Sequence, residues 1–177
     1  MLKSERLIFR PYTRDDLDFY ASLWGNPEVV RYIGKGKVKT FQEAKSSMEN
    51  WLFPQYKEGI GLYAMALKSS HQLIGHAGLV NQEIDGENQL EIGYWLHPNY
   101  WGNGFAKEAS ILFKNYGLYE LRSDKLISLI NPDHPASIFV ARKTGLSYEK
   151  TVKFNEKDTL VYSIVQGQVS IKQREID

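Results

Sequence analysis

The sequence predicts a single α/β (α+β) domain in which helices cover both faces of one mixed, mostly antiparallel sheet. Turn residues at Ser69-Ser70-His71 and at Asn155–Asp158 separate paired strand patterns, which indicates two antiparallel hairpins. A strand, a helix and a further strand follow one another over residues 90–130, which indicates a βαβ unit. Two capping-box patterns, at Thr13 and Thr40, begin helices near the N-terminus. Hairpins and a crossover together predict a mixed sheet.

The first half of the chain is predicted to hold one strand, two helices and then three strands. Apolar alternation marks the first strand, and the helices begin at capping boxes and carry apolar residues at helical spacing. Asn26-Pro27 ends the first helix, and Gly59–Gly61 interrupts the pattern after the second. The predicted elements are a strand Arg6–Arg10, helices Thr13–Trp24 and Thr40 to about Tyr56, and strands Leu62–Lys68, Leu73–Val80 and Leu90–Leu96.

The second half is predicted to continue with helix, strand, helix and a closing hairpin. The first of these helices begins at Asn103 and places Phe105, Ala109 and Phe113 on one face. Gly145 ends the second helix. The remaining predicted elements are a buried strand Lys125–Ile130, a helix Pro135–Lys143, and strands Leu146–Phe154 and Thr159–Gln166, after which the last residues are expected to fray.

Composition and charge narrow the class of protein. A chain of 177 residues is most simply one domain, here 1–177, with room for a sizeable core. A net charge of +1 without a Lys/Arg block argues against nucleic acid as a partner. The longest apolar run, Leu62–Leu67, is too short to cross a membrane, and the charged N-terminus does not look like a signal peptide. The absence of cysteine excludes thiolate chemistry and fits a cytoplasmic protein.

The strand-to-helix turn Gly102-Asn103-Gly104 is the most informative local motif. Small residues there leave backbone N–H groups exposed, and the start of the helix adds partial positive charge, which suits a phosphate or diphosphate. A dinucleotide-binding fingerprint would need a third glycine, and Lys107 stands in its place. Taken alone, the two glycines are explained better by a tight turn than by a ligand site.

Residues 91–109 resemble the acetyl-CoA-binding motif of the GNAT acetyltransferases. The stretch runs Glu91-Ile92-Gly93-Tyr94-Trp95-Leu96, then Pro98, Tyr100 and Trp101-Gly102-Asn103-Gly104-Phe105-Ala106, then Glu108-Ala109. More narrowly, it is similar to the RimJ/RimL-like branch, which acetylates the N-termini of ribosomal proteins. Three further stretches, 5–16, 26–32 and 131–146, resemble that branch in the right order, so the resemblance covers nearly the whole chain.

The resemblance implies the GNAT fold, with acetyl-CoA as co-substrate, no metal and a splayed central strand pair. It places the co-substrate's diphosphate mainly on backbone donors of Trp101, Gly102, Asn103, Gly104, Phe105 and Ala106. Family members often carry Gln or Arg where Trp101 stands, so its side chain is expected to matter little. The backbone of Trp95 and Leu96 is expected to pair with the pantetheine arm, and an N–H there to bind the thioester oxygen as it becomes an oxyanion.

Two residues of the second matching motif are implied to contact the co-substrate through polar groups. They are Asn131 and Ser137. Spacing alone leaves other roles open for both, because an Asn before Pro132 suits a turn and a Ser suits a helix cap.

Glu91 is the candidate general base. It alternates with Leu90 and Ile92, so it shares a strand face with Gly93 and Trp95, and a carboxylate on a cleft face can accept an amine proton through water. The alternative is a strand carboxylate held in a salt bridge.

The general acid is not assigned by the resemblance. Other family members use a Glu in the next strand, where Leu129 stands, and a Tyr where Ala141 stands; a frequent Asn corresponds to His134. The acid is therefore open among three residues, Tyr148, Tyr162 and His134.

The expected reaction is direct attack of a neutral amine on the thioester in a ternary complex, since no acyl-cysteine can form. An α-amine with a pKa of ~7.7–8.0 is far more often neutral at cytosolic pH than a lysine at ~10.4. The expected acceptor is therefore a protein or peptide N-terminus.

Two other activities stay open. One is acetylation of a small-molecule amine such as a polyamine, an antibiotic or an amino-acid derivative, and the other is a sensor that binds acyl-CoA without catalysis. Glu28 and Glu58 either attract a cationic acceptor or belong to a solvated surface. Acceptor choice is expected to depend on residues 26–39, on Trp51 and Tyr56, and on the closing hairpin near Phe154. The expected assembly is a monomer or homodimer.

Overall fold

In the computed structural model, which describes residues 1–168, eight strands form one sheet in the order β1-β2-β3-β4-β5-β6-β8-β7. Every neighbouring pair is antiparallel except β5 and β6, which are parallel. The mixed, mostly antiparallel sheet is thereby confirmed. The strands are β1 Leu2–Lys3, β2 Leu7–Arg10, β3 Gly61–Leu67, β4 Leu73–Ile84, β5 Glu87–Leu96, β6 Lys125–Ile130, β7 Ser147–Phe154 and β8 Lys157–Val165. The predicted frayed end and the last part of the predicted domain, residues 169–177, lie outside the described residues.

Six α-helical segments join and cover the strands within residues 1–168. They are α1 Leu17–Trp24, α2 Pro27–Val30, α3 Phe41–Ser47, α4 Phe53–Gln55, α5 Phe105–Asn115 and α6 Pro135–Lys143. Short 3₁₀ or π turns extend several of them, so that α3, a π turn at Met48–Leu52, α4 and a 3₁₀ turn at Tyr56–Glu58 together cover the predicted second helix. Within the described chain, no helix is long and apolar enough to cross a bilayer.

Both predicted capping boxes begin helical segments. Thr40 N donates to Glu43 Oε2 at 2.7 Å, and Glu43 N donates to Thr40 Oγ1 at 3.2 Å. Thr13 N donates to Asp16 Oδ2 at 2.9 Å ahead of α1. These bonds satisfy N–H groups that a helix start leaves without partners.

Two-residue turns join two pairs of neighbouring strands, and β4 and β5 are longer than predicted. Asp85 and Gly86 have φ of 53° and 80°, which suits a type I′ turn and lets β4 and β5 pair over ten residues. Asn155 and Glu156, with φ of 50° and 67°, join β7 to β8 in the same way.

Two short elements were not predicted, and one boundary was wrong. β1 and α2 are too short for a periodic pattern to show. Asn26-Pro27 follows the end of α1 at Trp24 as predicted, and Asn26 also caps α2, because its Oδ1 accepts a hydrogen bond of 2.9 Å from Glu28 N. The helix predicted from Asn103 begins at Phe105, because Gly104 has a left-handed φ of 78°.

Each face of the sheet has its own core. On one face α5 and α6 pack on the sheet, with Phe113 edge-on to Phe9 at 5.2 Å between ring centroids. On the other face α1 and α3 pack around Tyr12, Tyr20 and Met48. Even-numbered β5 residues belong to the first core and Trp95 to the second, so β5 separates two different environments.

Candidate functional site

The sheet opens between β5 and β6. In the described chain a single bridge pair, Glu91 with Ile127, joins these strands. Side chains make the other links: Ser128 Oγ donates to Ile92 O at 3.1 Å, and Leu129 N donates to Glu91 Oε1 at 3.4 Å. A cleft of about 370 Å³ lies along the opening. The predicted splayed strand pair is confirmed.

The register of β5 decides which backbone groups face this opening. A Cβ on Gly75 of β4 would overlap the Trp95 carbonyl oxygen, so that carbonyl points to β4. Ile92 O and Leu96 O point the other way, to Ser128 Oγ and Trp101 Nε1. The N–H and C=O groups of successive residues in a strand point to opposite sides, so the backbone groups of Tyr94 and Leu96 point to the opening. The expectation of a free backbone at Trp95 was wrong in this respect.

Trp101 links the end of β5 to the following loop. Its indole Nε1 donates a hydrogen bond of 2.9 Å to Leu96 O, although half of the side chain is exposed. The Leu96 carbonyl is therefore not free, and only the N–H of Leu96 remains for a ligand. The Trp101 side chain, expected to matter little, positions the loop.

The loop before α5 presents a row of backbone donors. Gly102 and Gly104 have φ of 76° and 78°, a region that glycine adopts without strain. Within residues 1–168 the N–H groups of residues 102–107 have no acceptor, and the loop's hydrogen bonds resume with Glu108 N donating to Gly104 O at 3.1 Å. Asn103 Nδ2 donates to Trp101 O at 3.0 Å, which tightens the turn. These N–H groups and the helix dipole suit an anion.

The side chains of Phe105 and Ala106 contribute differently from their N–H groups. Both are half-buried and pack against the core under α5. They therefore anchor the helix start, while their backbone donors remain available.

Arg6 holds this loop from outside, and sequence reasoning did not single it out. Its Nε donates to Glu108 Oε2 at 2.7 Å, Nη1 donates to Asn103 O at 3.0 Å, and its guanidinium lies 4.5 Å from the Phe105 ring centroid. Ser4 Oγ and Arg6 N complete the partners of Glu108 at 2.6 and 2.7 Å. The only signal was the resemblance of the opening stretch, because the partners are about 100 residues apart in the chain.

Glu91 lies buried at the inner end of the cleft. Its side chain accepts hydrogen bonds from Gln82 Nε2 at 2.7 Å and Leu129 N at 3.4 Å. Burial raises the pKa of Glu91 to about 7, although both hydrogen bonds act in the opposite direction. Among the described residues Glu91 forms no ion pair, so the salt-bridge alternative is wrong. Glu91, Gly93 and Trp95 all line the cleft, as their shared face requires.

Asn131 and Ser137 also line the cleft. Asn131 Oδ1 accepts a hydrogen bond of 2.8 Å from Asp133 N, which is the turn geometry that its position before Pro132 favoured. Ser137 lies inside α6, whose cap is His134, so it is not a capping residue. Its Oγ lies 2.9 Å from the Tyr94 hydroxyl.

The three candidates for the general acid differ in their position relative to the cleft. His134 lines the cleft and stacks on Tyr32 at 4.4 Å between ring centroids, and burial lowers its pKa. Tyr148 is exposed and Tyr162 is buried, and neither lines the cleft. Tyr94, which was not considered, does line it, and burial raises its pKa to about 12.

Several aromatic side chains line the cleft. Four of them, here called the aromatic wall, are Trp24, Trp51, Trp95 and Phe154. Tyr56, expected to take part in acceptor choice, does not line the cleft; its hydroxyl donates to Leu62 O at 2.6 Å inside the core. Within residues 1–168 no group of three or more His, Asp or Glu side chains could hold a metal ion.

The chain is similar to a set of bacterial acetyltransferases over most of its length. The family model of the acetyltransferase (GNAT) domain matches residues 6–147. YkkB of Bacillus subtilis, an uncharacterized protein, is 32% identical over 151 residues, which is 84% of this chain and 86% of YkkB. The uncharacterized N-acetyltransferase YoaA of the same organism is 29% identical, over 94% of this chain and 97% of YoaA. The spermidine N(1)-acetyltransferase of Escherichia coli K12 is 28% identical, over 84% of this chain and 77% of that enzyme.

Solved structures share the fold. An acetyltransferase from Agrobacterium tumefaciens superposes with a TM-score of 0.79 at 24% identity, covering 93% of this chain and 94% of the other. RimL, a ribosomal L7/L12 alpha-N-protein acetyltransferase in complex with coenzyme A, superposes with a TM-score of 0.76 at 17% identity, covering 92% and 95%. At these identities the likeness concerns the fold alone. Together with the matching family model, it leads to one conclusion: the chain belongs to the GNAT family and is an acetyl-CoA-dependent N-acetyltransferase.

Proposed function

We propose that the acceptor is the α-amine of a peptide or protein N-terminus, as in the RimJ/RimL-like branch. One observation carries the proposal: β5 borders the opening with a buried carboxylate that has no ion-pair partner in the described chain, Glu91, and the loop that follows β5 carries a row of free N–H groups at residues 102–107. The first can hold a diphosphate and the second can accept a proton. The motif at residues 91–109 is the further support for this branch.

Acetyl-CoA would bind from the α5 end inwards. Its diphosphate would take hydrogen bonds from the backbone of residues 102–106, with Trp101 and Arg6 fixing the loop. The pantetheine arm would pair with Tyr94 and with the Leu96 N–H in the opening. One of those N–H groups would also bind the developing oxyanion, the type of interaction that contributes most to acyl transfer. Asn131 and Ser137 would add side-chain contacts from the opposite edge.

Glu91 would then act as general base, through water. The amine nitrogen attacks the carbonyl carbon, a C–N bond forms, the C–S bond breaks, and the amine proton passes to the Glu91 carboxylate. A pKa of about 7 suits this task, because about half of the carboxyl groups are then ionised near neutral pH and the carboxylate is a usable base. An α-amine matches such a base better than a lysine, whose pKa is higher by about 2–3 units.

The leaving thiolate needs a proton. The hydroxyl pair of Tyr94 and Ser137 and the ring of His134 are the donors that the cleft offers. Tyr94 suits the role because its raised pKa keeps the hydroxyl protonated.

Acetylation of a small-molecule amine is the second candidate. It is favoured by the spermidine acetyltransferase of E. coli, which is more similar in sequence to this chain than the RimL structure is.

Release of free coenzyme A thiol with a panel of N-terminal peptides, polyamines and aminoglycosides tests the proposal. Peptides should be the best acceptors, and Glu91→Gln should reduce their turnover while acetyl-CoA still raises the melting temperature. A clear preference for polyamines or aminoglycosides would replace the peptide by the small molecule. Binding of acetyl-CoA without release of thiol by any amine would instead indicate a sensor.

A further inference from the structure

The acceptor half of the cleft contains few charges. The odd-numbered face of β5, with Glu91, Gly93 and Trp95, looks towards α1 and α2, away from α5. Among all cleft-lining residues Glu91 is the one carboxylate in the described chain, and Lys157 is the one lysine or arginine. Glu28 and Glu58, which were candidates for attracting a cation, are exposed and do not line the cleft.

The aromatic wall is already in contact with a cation of the protein. The Lys39 Nζ lies 3.9 Å from the ring centroid of Trp24 and donates to Ser47 Oγ at 3.0 Å. An aromatic face attracts a second cation only weakly when one is already bound, and the two cations repel each other. Trp24 is therefore a poor site for an additional ammonium group of an acceptor.

Lys157 stands at the rim of the cleft with hydrogen-bonding capacity to spare. Its Nζ donates to Lys35 O at 3.2 Å, and it forms no ion pair within residues 1–168. An ammonium has three donors, so two remain for a ligand. The contact also joins the tip of the β7–β8 hairpin to the loop after α2, which places both beside the mouth of the cleft.

These charges select against polycations. A polyamine brings two or more ammonium groups besides the reacting amine, and in the cleft lining they would find no carboxylate other than Glu91 and would be repelled by Lys157. A buried cation without a partner is strongly disfavoured. Glu91 cannot serve as that partner, because on the proposed function it takes the proton of the reacting amine.

Resting on the proposed function, we propose that the acceptor is an α-amine with one apolar or aromatic side chain and a nearby carboxylate, and that Lys157 binds the carboxylate. The side chain would lie on the wall of Trp24, Trp51 and Phe154, and aromatic contacts there need no charge. The carboxylate has two possible sources, the C-terminal carboxylate of a very short peptide or an acidic residue that follows an apolar N-terminal residue in a longer peptide. Both present the same group to Lys157.

The test compares matched acceptors in the thiol-release assay. One arm uses the dipeptide Phe-Gly with a free and with an amidated C-terminus. The other uses longer peptides that begin with phenylalanine followed by glutamate or glutamine, and spermidine is the polycation. In each arm the carboxylate-bearing acceptor should have the higher kcat/KM, and spermidine should be the poorest substrate. The better of the two arms identifies the source of the carboxylate.

Lys157→Gln tests the assignment of that residue. We expect a rise of about tenfold or more in KM for the carboxylate-bearing acceptors, as for loss of a charge-assisted hydrogen bond, with kcat and the uncharged acceptors unchanged. Lys153→Gln is the matched control on the same hairpin: its Nζ pairs with Asp158 at 2.8 Å, it does not line the cleft, and it should change nothing.

Three results would overturn the inference. The first is a preference for spermidine. The second is an equal kcat/KM for acceptors with and without the carboxylate, and the third is an equal effect of Lys157→Gln on these two kinds of acceptor. The last two results leave the proposed function intact, whereas a preference for spermidine, or no turnover with any amine, would overturn the proposed function together with the inference.

Discussion

The side-chain amide of Gln82 donates a hydrogen bond of 2.7 Å to Glu91, across the β4–β5 ladder and inside a cleft that contains no other carboxylate in the described chain. Gln82 has no charge, so it orients Glu91 without stabilising its ionised form as a lysine would. The raised pKa of Glu91 and its exact orientation thus have separate causes, burial and a neutral donor.

The pH dependence of turnover should follow Glu91. We expect kcat to rise with pH through an apparent pKa near 7, because only the ionised carboxylate accepts a proton. Glu91→Gln should lower kcat by about 10²- to 10⁴-fold, the usual contribution of a general base, and remove this limb. The ionisation of the acceptor amine also affects the pH profile of turnover. Comparing two acceptors with different amine pKa values separates the two ionisations, since only the part of the profile that reports the amine should move. A limb near pH 7 that persists in Glu91→Gln argues against Glu91.

Stability should depend on the pH in the same range. The folded state raises the pKa of Glu91 from its ordinary 4.5 to about 7, so between these values it binds more protons than the unfolded chain, and stability falls as the pH rises. The whole shift corresponds to about 3 kcal/mol. Denaturant unfolding of Glu91→Gln should lack this decline.

Glu149→Gln is the control for that experiment. Lys125 lowers the pKa of Glu149, so this carboxylate stabilises the fold above its ordinary pKa and the contribution is lost as the pH falls. Its removal should therefore leave the decline between pH 4.5 and about 7 in place. An identical pH dependence for wild type and Glu91→Gln would show that the carboxyl is not perturbed.

Gly102→Val should abolish binding of acetyl-CoA while destabilising the fold no more than Gly86→Val does. Gly102 and Gly86 have φ of 76° and 80°, and a Cβ at either position meets no atom within 4 Å. Both valine variants should lose about 1–2 kcal/mol of stability, the cost of a left-handed backbone. Only Gly102→Val places its side chain beside the N–H row, so only it should lose the rise in melting temperature with acetyl-CoA. Equal rises in both variants would contradict the assigned loop.

Arg6→Ala should weaken acetyl-CoA although Arg6 is outside the matched motif. It removes the hydrogen bonds to Glu108 and to Asn103 O, so the loop loses its external support. We expect the Kd from calorimetry to rise about tenfold, the equivalent of ~1.4 kcal/mol. Arg14→Ala, which breaks an exposed ion pair with Glu49 at 3.6 Å, is the control and should leave the Kd unchanged.

Local signals predicted the elements well. β6 and α6 have the predicted bounds, because a short apolar run and a following glycine mark them in sequence. The contacts that complete the site were not predictable in this way. The direction of the Trp95 carbonyl depends on the register with β4, and the Arg6–Glu108 and Tyr94–Ser137 contacts join residues 102 and 43 positions apart. No pattern within a short window reports such pairings.

The replacement of backbone ladder bonds by side chains between β5 and β6 has a mechanical consequence. Ser128 and Glu91 link β5 to β6 through side chains that can rotate, so the opening between these two strands can widen with the loss of few backbone hydrogen bonds. A pantetheine chain in the opening would restore an amide-bearing connection between the two strands. The protein should accordingly be stiffest when loaded, and Glu91, the proposed general base, is also one of the side-chain links across the opening.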